Sequence, residues 1–287
     1  MSLFDTLVDE ALRSRSDLAL LRPVVEKELL HHDILREMSA AGLLAGLTFI
    51  GGTCLRACYG SPRLSEDLDF TGGASFKRSD LSDLGLILSR NLQIRYGLRV
   101  DVGDPVKEEG RVSTWKMSVE TRSGRKDMPA QRIHLDICSI PSHEVRPMIL
   151  RNIYGVEMGT SGLILQAQSR EEILADKVVA LALRKNRIKN RDLWDILWLL
   201  QQGVELPYRL IPRKLENHHC EKDEFETLLR ERVNSLGPSS SMRTDFLREM
   251  RRFLPSAISR QTVEQPKYWE YLALTVAELS EKVLKLL

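Results

Sequence analysis

The sequence predicts an α+β protein whose N-terminal half mixes strands with helices and whose C-terminal half is entirely helical. Short apolar segments with the two-residue alternation of strands occur between residues 47 and 138. From about Ser169 onward, apolar residues recur instead at helical spacing as far as the C-terminus. Because 287 residues are enough for two modest cores, we predict a first domain at residues 1–165 and a helical domain at 166–287.

The first half opens with a helix, "PVVEKELLHHDILREMSAAGLL", in which a proline lies early, where a helix tolerates one. A short strand, "LTFIGG", a short helix, "TCLRACYG", and a second strand, "SEDLDFTG", follow. The helix "DLSDLGLILSRNLQIR" then precedes three further strands, "LRVDVGD", "STWKMSVET" and "QRIHLDICSI". In the last strand, apolar Ile133, Leu135 and Ile137 share one face, so that His134 and Asp136 share the other.

The second half contains five helical segments in succession, separated by short polar connections. They are "REEILADKVVALALRK", "RDLWDILWLLQQ", "EFETLLRERVNSL", "SMRTDFLREMRRFL" and "YWEYLALTVAELSEKVLKLL". The polar stretch "SLGPSSS" is predicted to be a loop inside this half and not a linker between domains.

Composition narrows the class of protein. A formal net charge of +2 provides no overall basic surface, so any affinity for nucleic acid must come from local patches. The cysteines (Cys54, Cys58, Cys138, Cys220) are too few and too scattered for a disulfide framework, and no CxxC pair indicates structural zinc. The N-terminal segment is acidic and polar, and no apolar run approaches the roughly 20 residues of a membrane span. These features predict a cytoplasmic protein with no membrane partner.

Two aspartates in "SEDLDFTG" form the first candidate site. In an extended strand Asp67 and Asp69 point to the same face, while Leu68 and Phe70 point into the core. Carboxylates at that spacing repel one another unless a cation lies between them, and Mg²⁺ or Mn²⁺ is the most suitable partner. The alternative is a solvated strand face on which both acids contact only water.

A glycine turn lies just upstream of these acids. Gly51 and Gly52 follow a strand and precede a helix, so that backbone N–H groups and the Thr53 hydroxyl can approach a phosphate. The segment is neither a Walker A loop nor GxGxxG, and a tight strand-to-helix turn is the simpler alternative. A phosphate cradle beside a metal-binding acid pair is, however, what phosphoryl or nucleotidyl transfer requires.

A third acid is needed if two metal ions are to be held. Asp136 is the best candidate because it alternates away from an apolar strand face in the same half of the chain. Alternatively, Asp136 is a surface acid on an edge strand.

Two segments resemble a known family. "FIGGTCLRACYGSPRLSEDLDF" resembles the signature of the AbiEii-type nucleotidyltransferases, the toxins of AbiE and related MenT-type toxin–antitoxin systems, in the polymerase β-like superfamily. "ILADKVVALALRKNRIKNRDLWDILWLL" resembles the downstream motifs, a lysine on a helix and an Arg-Asp-x-x-Asp helix start. Cys54 replaces the usual small residue. The matching positions of the first segment are Gly51, Gly52, Thr53, Leu55, Arg56, Tyr59, Gly60, Arg63, Ser65, Glu66, Asp67, Asp69 and Phe70.

The resemblance implies a polymerase β-like core, a mixed sheet flanked by helices, followed by the helical half. It implies that Asp67 and Asp69 are metal-binding catalytic acids, with Asp136 as our third metal ligand. Lys177 would contact nucleotide phosphates or support transfer, and Asp192 would be a further essential catalytic group. The predicted nucleotide-binding residues are Gly51, Gly52, Thr53, Arg56, Ser65 and Lys177.

Simpler interpretations of the second segment remain open. Lys177 is alternatively a solvated surface lysine, and Asp192 with Asp195 would stabilise a helix dipole at the start of their helix. The basic run "RKNRIKNR" is either a solvated helix end or a grip on an RNA backbone. The cluster "NHHC" at 217–220 lacks a further ligand at suitable spacing.

Together these features predict a metal-dependent toxin that binds an NTP with Mg²⁺ or Mn²⁺. It would transfer an NMP to RNA, with the tRNA 3′ end as the acceptor that the family implies, and release pyrophosphate. A cognate antitoxin would accompany it. The alternatives are transfer to a protein or to a small molecule such as an antibiotic, and a catalytically silent module that binds nucleotide or antitoxin.

Overall fold

The computed structural model describes residues 2–105, 111–122, 129–237 and 240–287. The chain forms two compact units, Met1–Gln168 and Ser169–Leu287. The predicted boundary after residue 165 falls inside a strand, Ile164–Gln168, which pairs with Thr48–Ile50 in the sheet of the first unit. This pairing is why the first unit continues to Gln168.

The first unit combines helices with one mixed sheet, which confirms the predicted α+β class. Its α-helices are α1 (Leu3–Ser14), α2 (Arg22–Ala40), α3 (Gly51–Ala57) and α4 (Leu84–Tyr96). Its strands are β1 (Thr48–Ile50), β2 (Leu68–Thr71), β3 (Arg99–Gly103), β4 (Val112–Glu120), β5 (Gln131–Cys138), β6 (Val145–Ile149) and β7 (Ile164–Gln168). Short 3₁₀ turns occupy Ser16–Leu21 and Arg78–Leu81.

Within the described residues the seven strands lie in the order β3-β4-β5-β2-β1-β7-β6. The pairs β2–β5 and β1–β7 are parallel, and the other neighbours are antiparallel. One face is buried: Phe49 and Phe70 stack with ring centroids 5.0 Å apart, and Trp115 and Leu135 are almost fully covered. On the helix side of this core, α2 contacts β5 and α4 contacts β3. Strict alternation therefore leaves the opposite face of β2, β4 and β5 polar.

The second unit is helical, as predicted from the change in periodicity. Its helices are α5 (Arg170–Leu183), α6 (Asn190–Gln201), α7 (Leu210–His218), α8 (Lys222–Ser235), α9 (Ser240–Met250), α10 (Ser256–Gln261) and α11 (Tyr268–Leu286). The hydroxyl of Ser169 caps α5 by accepting a 3.0 Å hydrogen bond from the Glu172 backbone N–H. In the core, the Phe246 ring packs on Trp269, with ring centroids 5.4 Å apart, and on Tyr268.

Several elements were not predicted from the sequence. Strand β6 contains Pro147, which suits the outermost strand of the sheet but weakens the pattern of a strand. Helix α1 begins with a reciprocal capping box between Ser2 and Asp5, inside the acidic N-terminal segment, for which no helix was predicted. Of the predicted loop "SLGPSSS", positions 238–239 lie outside the described residues. Among the described helices, none has both the length and the apolar character needed to cross a membrane.

Candidate active site

The glycine turn and the second aspartate meet at one point. Strand β1 ends at Ile50, and α3 begins at once with Gly51, whose φ of +75° is the left-handed conformation that favours glycine. A Cβ atom at this position would lie 3.0 Å from Oδ2 of Asp69. The missing side chain of Gly51 therefore lets the Asp69 carboxylate approach the backbone of the turn.

Asp69 and Asp136 are direct neighbours across two parallel strands, β2 and β5. Adjacent strands lie about 4.8 Å apart, so both carboxylates project from neighbouring positions on the polar face. Oδ1 of Asp136 is buried and accepts no hydrogen bond from the described part of the chain. An uncompensated buried carboxylate oxygen is costly, which marks it as a place for a cation or a donor. The alternative that Asp136 lies on an edge strand is wrong, because β5 lies between β4 and β2.

Asp67 lies one residue before β2, and its carboxylate contacts β5. Its Oδ1 accepts a 3.0 Å hydrogen bond from the backbone N–H of His134, and Nδ1 of the same histidine is 3.6 Å away. We did not predict a role for His134, although it alternates with Asp136 on the polar face of "IHLDIC". The structure thus brings Asp67, Asp69 and Asp136 to one region of the sheet, beside the turn at Gly51.

The donor set fits a divalent cation shared with a substrate. No group of three or more His, Cys, Asp or Glu side chains among the described residues is arranged to enclose a metal ion by itself. Mg²⁺, however, is usually bound by one or two carboxylates together with substrate phosphates and water. The neighbouring carboxylates of Asp69 and Asp136, with the lone buried oxygen of Asp136, match that mode of binding.

Thr53 and Ser65, both predicted to bind nucleotide, have buried side chains that support the turn. The Thr53 hydroxyl donates a hydrogen bond to the backbone carbonyl of Asp67 and lies 2.7 Å from the Ser65 hydroxyl oxygen. These contacts attach α3 to the start of β2 and so set the spacing between the glycine turn and the acids. A direct contact of either side chain with nucleotide stays a prediction.

Arg56, also predicted to bind nucleotide, lies in the interior and is only 4% exposed. Its Nε donates to the Glu28 carboxylate at 3.1 Å, and its Nη1 donates to the carbonyl of Ser61 at 3.0 Å. The same carboxylate accepts hydrogen bonds from the Ser65 backbone N–H and the Tyr154 hydroxyl. Glu28 therefore joins α2, α3 and the loop that leads to Asp67. No motif in "VVEKELL" indicates this role, and sequence reasoning missed it.

Helix α2 holds the same loop at a second point. Nζ of Lys27 lies 2.9 Å from the carboxylate of Glu66, and Nε2 of His31 donates a 3.0 Å hydrogen bond to the Glu66 carbonyl. Burial lowers the pKa of His31, which keeps that imidazole neutral near neutral pH. The residue immediately before Asp67 is therefore fixed by both its side chain and its backbone.

In the second unit, Lys177 on α5 lies between two carboxylates of α6. Its Nζ is 2.5 Å from Oδ1 of Asp192 and 3.0 Å from Oδ2 of Asp195. The Lys177 side chain is 13% exposed, so the alternative of a solvated surface lysine is wrong. Although burial raises the pKa of Asp192, the charges of Lys177 and Arg184 outweigh it and hold that pKa below its usual value. Pairing with Lys177 explains why the start of α6 carries two acids, Asp192 and Asp195.

The basic run between α5 and α6 is partly engaged in internal contacts. Nη2 of Arg184 lies 3.2 Å from Asp192, and Arg191 lies 3.4 Å from Glu249 and packs over the Phe253 ring. Lys185 and Arg187 are exposed. The "NHHC" cluster ends helix α7, where His219 adopts a left-handed conformation with φ of 52°.

The mixed sheet, the glycine turn against an acid pair and the helical second unit define a protein of the nucleotidyltransferase class. The family model described as "Nucleotidyl transferase AbiEii toxin, Type IV TA system" matches residues 33–274, and the chain therefore belongs to that family. It is a nucleotidyltransferase toxin of a type IV toxin–antitoxin system, which confirms the resemblance recognised in the sequence.

The chain is similar to solved structures at low sequence identity. The chain is similar to MenT4, a nucleotidyltransferase toxin of Mycobacterium tuberculosis H37Rv, with a TM-score of 0.51 and 15% identity over 96% of this chain and 98% of that one. It is also similar to JHP933 of Helicobacter pylori, with a TM-score of 0.46 and 19% identity over 90% and 93% of the two chains. No curated protein matches the sequence.

Proposed function

We propose that this toxin transfers a nucleoside monophosphate from an NTP to the 3′ end of an RNA acceptor, tRNA, and so blocks translation. The observation that carries the proposal is the close approach of the Asp69 carboxylate to the turn at Gly51, with Asp136 next to Asp69 on the polar face of the sheet. NTP and tRNA are both cytoplasmic, and we place the activity there. A cognate antitoxin, which membership of a type IV system implies, would limit it.

The residues of the first unit have distinct parts in this reaction. The backbone of Gly51 and Gly52 approaches the triphosphate, and Asp67, Asp69 and Asp136 would hold Mg²⁺ or Mn²⁺ together with the substrate. When bound, the ion neutralises the charge that develops on the phosphoryl group. The acceptor hydroxyl oxygen forms a bond to the α-phosphorus, the bond to the β-phosphate oxygen breaks, pyrophosphate leaves, and the hydroxyl proton passes to solvent.

Lys177 and Asp192 are proposed as further residues required for transfer, on the strength of the family motif that they match. Their mutual contact supports this in one respect, because it lowers the pKa of Asp192 and so keeps that carboxylate ionised in a largely buried setting. Thr53, Ser65 and Arg56 fix the acids and the turn, and their direct contact with nucleotide stays a prediction.

The proposal is tested by incubating the protein with each labelled NTP, Mg²⁺ and total tRNA. We expect label on tRNA with at least one nucleotide, and loss of more than about 100-fold in Asp69→Asn, as is typical when a group that stabilises transition-state charge is removed. Absence of label with every NTP, or full transfer by Asp69→Asn, would contradict the proposal. Label on protein or on an antibiotic instead would identify another acceptor, and nucleotide binding without any turnover would indicate a silent module.

A further inference from the structure

The polar face of the sheet continues beyond the acids onto β4 and β5. In the antiparallel register of these strands, Lys116 lies opposite His134, and Thr114 lies opposite Asp136. Arg132 precedes His134 by two residues on the same face and lies opposite Ser118. We call this group, Thr114, Lys116, Ser118, Arg132 and His134, the β4–β5 face.

The cations of the β4–β5 face are exposed, and they lack partners within the described ranges. Neither the Lys116 nor the Arg132 side chain forms a hydrogen bond or ion pair with another residue there, and both are exposed. On the neighbouring strand β3, by contrast, Arg99 lies 3.7 Å from Asp101 and 3.8 Å from Glu120. The His134 side chain is 45% exposed. Two positive charges that are available to a ligand therefore lie on the same face of the sheet as the carboxylates.

Protection of an open sheet edge does not explain the charge of Lys116. Lysine is common on edge strands, where it prevents pairing with other chains. Here β4 is paired on both sides, with β3 and with β5, over most of its length. Lys116 thus lies in the interior of the sheet's polar face, whereas Arg132 lies on β5 before its pairing with β2 begins at Leu135.

The position of the glycine turn decides from which side an acceptor must approach. The turn follows β1, on one side of β2, whereas β5 and β4 lie on the other side. In phosphoryl transfer the attacking and leaving oxygens are roughly in line across the phosphorus. If the triphosphate binds at the glycine turn, as proposed above, the leaving pyrophosphate is on the β1 side. The attacking hydroxyl then arrives from the side of β5 and β4.

We propose that the β4–β5 face binds the sugar–phosphate backbone of the RNA acceptor just upstream of its reacting 3′ hydroxyl. This inference rests on the proposed function and specifies how the acceptor is held. Lys116 and Arg132 neutralise phosphates, and the hydroxyls of Thr114 and Ser118 and the imidazole of His134 contact phosphate or sugar oxygens. Trp115 lies on the buried face, so the tryptophan is not available for base stacking. The face therefore recognises backbone and not base sequence.

The inference is tested with the double variant Lys116→Gln/Arg132→Gln. The matched control, Lys282→Gln/Lys285→Gln, removes the same charge from two exposed positions on α11. Affinity for unfractionated tRNA is measured by fluorescence anisotropy at several salt concentrations. Binding of an NTP with Mg²⁺ is measured in parallel by calorimetry, which also verifies that each variant is folded.

We expect the β4–β5 variant to bind tRNA roughly tenfold more weakly than the wild type at low salt. Its plot of log affinity against log salt should be shallower by about 1.5, because each lost phosphate contact lowers the slope by about 0.7 to 0.9. NTP binding and the control variant should be unchanged. Transfer of label to tRNA should fall with tRNA affinity and recover at saturating tRNA.

An unchanged tRNA affinity and salt slope in the β4–β5 variant would overturn the inference, as would an equal loss in the α11 control. If the wild type labels tRNA and the variant does so with the same dependence on tRNA concentration, the inference fails while the proposed function stands. If the wild type neither binds nor labels tRNA with any NTP, the RNA acceptor itself is wrong, and both proposals fall.

Discussion

At the scale of single residues, the polar face of the sheet owes its acids to the core residues that alternate with them. Asp67, Asp69 and Asp136 lie on the polar face because their neighbours Leu68, Phe70 and Leu135 are core residues. A family motif, by contrast, does not distinguish a residue that contacts substrate from one that supports it. Arg56 matches the motif yet has its guanidinium engaged by Glu28, whose role depends on contacts distant in sequence.

Gly51 provides a prediction at this scale, with Gly97 as its control. Gly51→Ala should cost about 1–2 kcal/mol of stability through its left-handed backbone, and it should also displace the Asp69 carboxylate and abolish nucleotide transfer. Gly97 has a φ of +68°, but a methyl group there would meet no heavy atom within 4 Å, so Gly97→Ala should lose similar stability and keep transfer. Chemical denaturation and the transfer assay check both variants. Equal loss of transfer in the two would contradict a special role for the Gly51–Asp69 contact.

Two adjacent residues of α2 should respond to pH in opposite directions. Burial lowers the pKa of His32 to about 4, so its contribution to stability is complete above 6.5 and is lost as pH falls through 4. Burial raises the pKa of Asp33 to about 6, although Arg36 and Arg95 oppose this, so its contribution is complete below 3.8 and is lost as pH rises through 6. Between pH 4 and 6 the two effects offset one another.

The variant Asp33→Asn should reveal how the lowered pKa of His32 makes the unfolding free energy depend on pH. Its unfolding free energy should fall by up to about 3 kcal/mol between pH 6.5 and 4, at about 1.4 kcal/mol per unit of the His32 shift to about 4. His32→Asn should show the opposite slope, with stability rising as pH falls from 6 to 4. Urea denaturation across this range measures both, and parallel slopes in the two variants would refute the assignment.

At the scale of elements, segments with a clear apolar period were predictable, and the two strands that follow β5 were not. Helices α5, α6, α8, α9 and α11 follow their apolar periodicity, and β5 follows its alternation. Strands β6 and β7 are five residues each and depend on pairing with one another and with β1, which local sequence does not encode. The predicted helix α2 was correct, but its inward-facing carboxylates Glu26 and Glu28 were not anticipated, since buried acids are rare without partners.

The packing of α3 against α2, and with it the stability of the protein, should depend on the Glu28–Arg56 ion pair. Either Glu28→Ala or Arg56→Ala leaves a buried charge without its partner, and each should cost about 3–5 kcal/mol of unfolding free energy. The double variant Glu28→Leu/Arg56→Met should cost less than the sum of the two single changes. Denaturation of all variants tests this. A stable Arg56→Ala variant with weakened NTP binding would instead support the nucleotide-binding role predicted from the motif.

At the scale of the whole molecule, the change of periodicity predicted two units. The first one ends at Gln168 because β7 pairs with β1 in its sheet. The two units, Met1–Gln168 and Ser169–Leu287, each carry charged groups that match family motifs. The net charge of +2 gives no sign of the local arrangement, in which three carboxylates and two exposed cations lie on one face of the sheet. Such a juxtaposition arises from strand register, and it was therefore not predictable from composition.

We propose above that Asp69 and Asp136 bind a divalent cation jointly with a nucleotide. The most direct test is the affinity for Mn²⁺, measured by electron paramagnetic resonance with and without a non-hydrolysable NTP analogue. We predict that the analogue strengthens Mn²⁺ binding in the wild type and that Asp69→Asn and Asp136→Asn each weaken it by at least about tenfold. The control Asp101→Asn, at an exposed acid of β3, should match the wild type. Unchanged Mn²⁺ affinity in both site variants would contradict the claim.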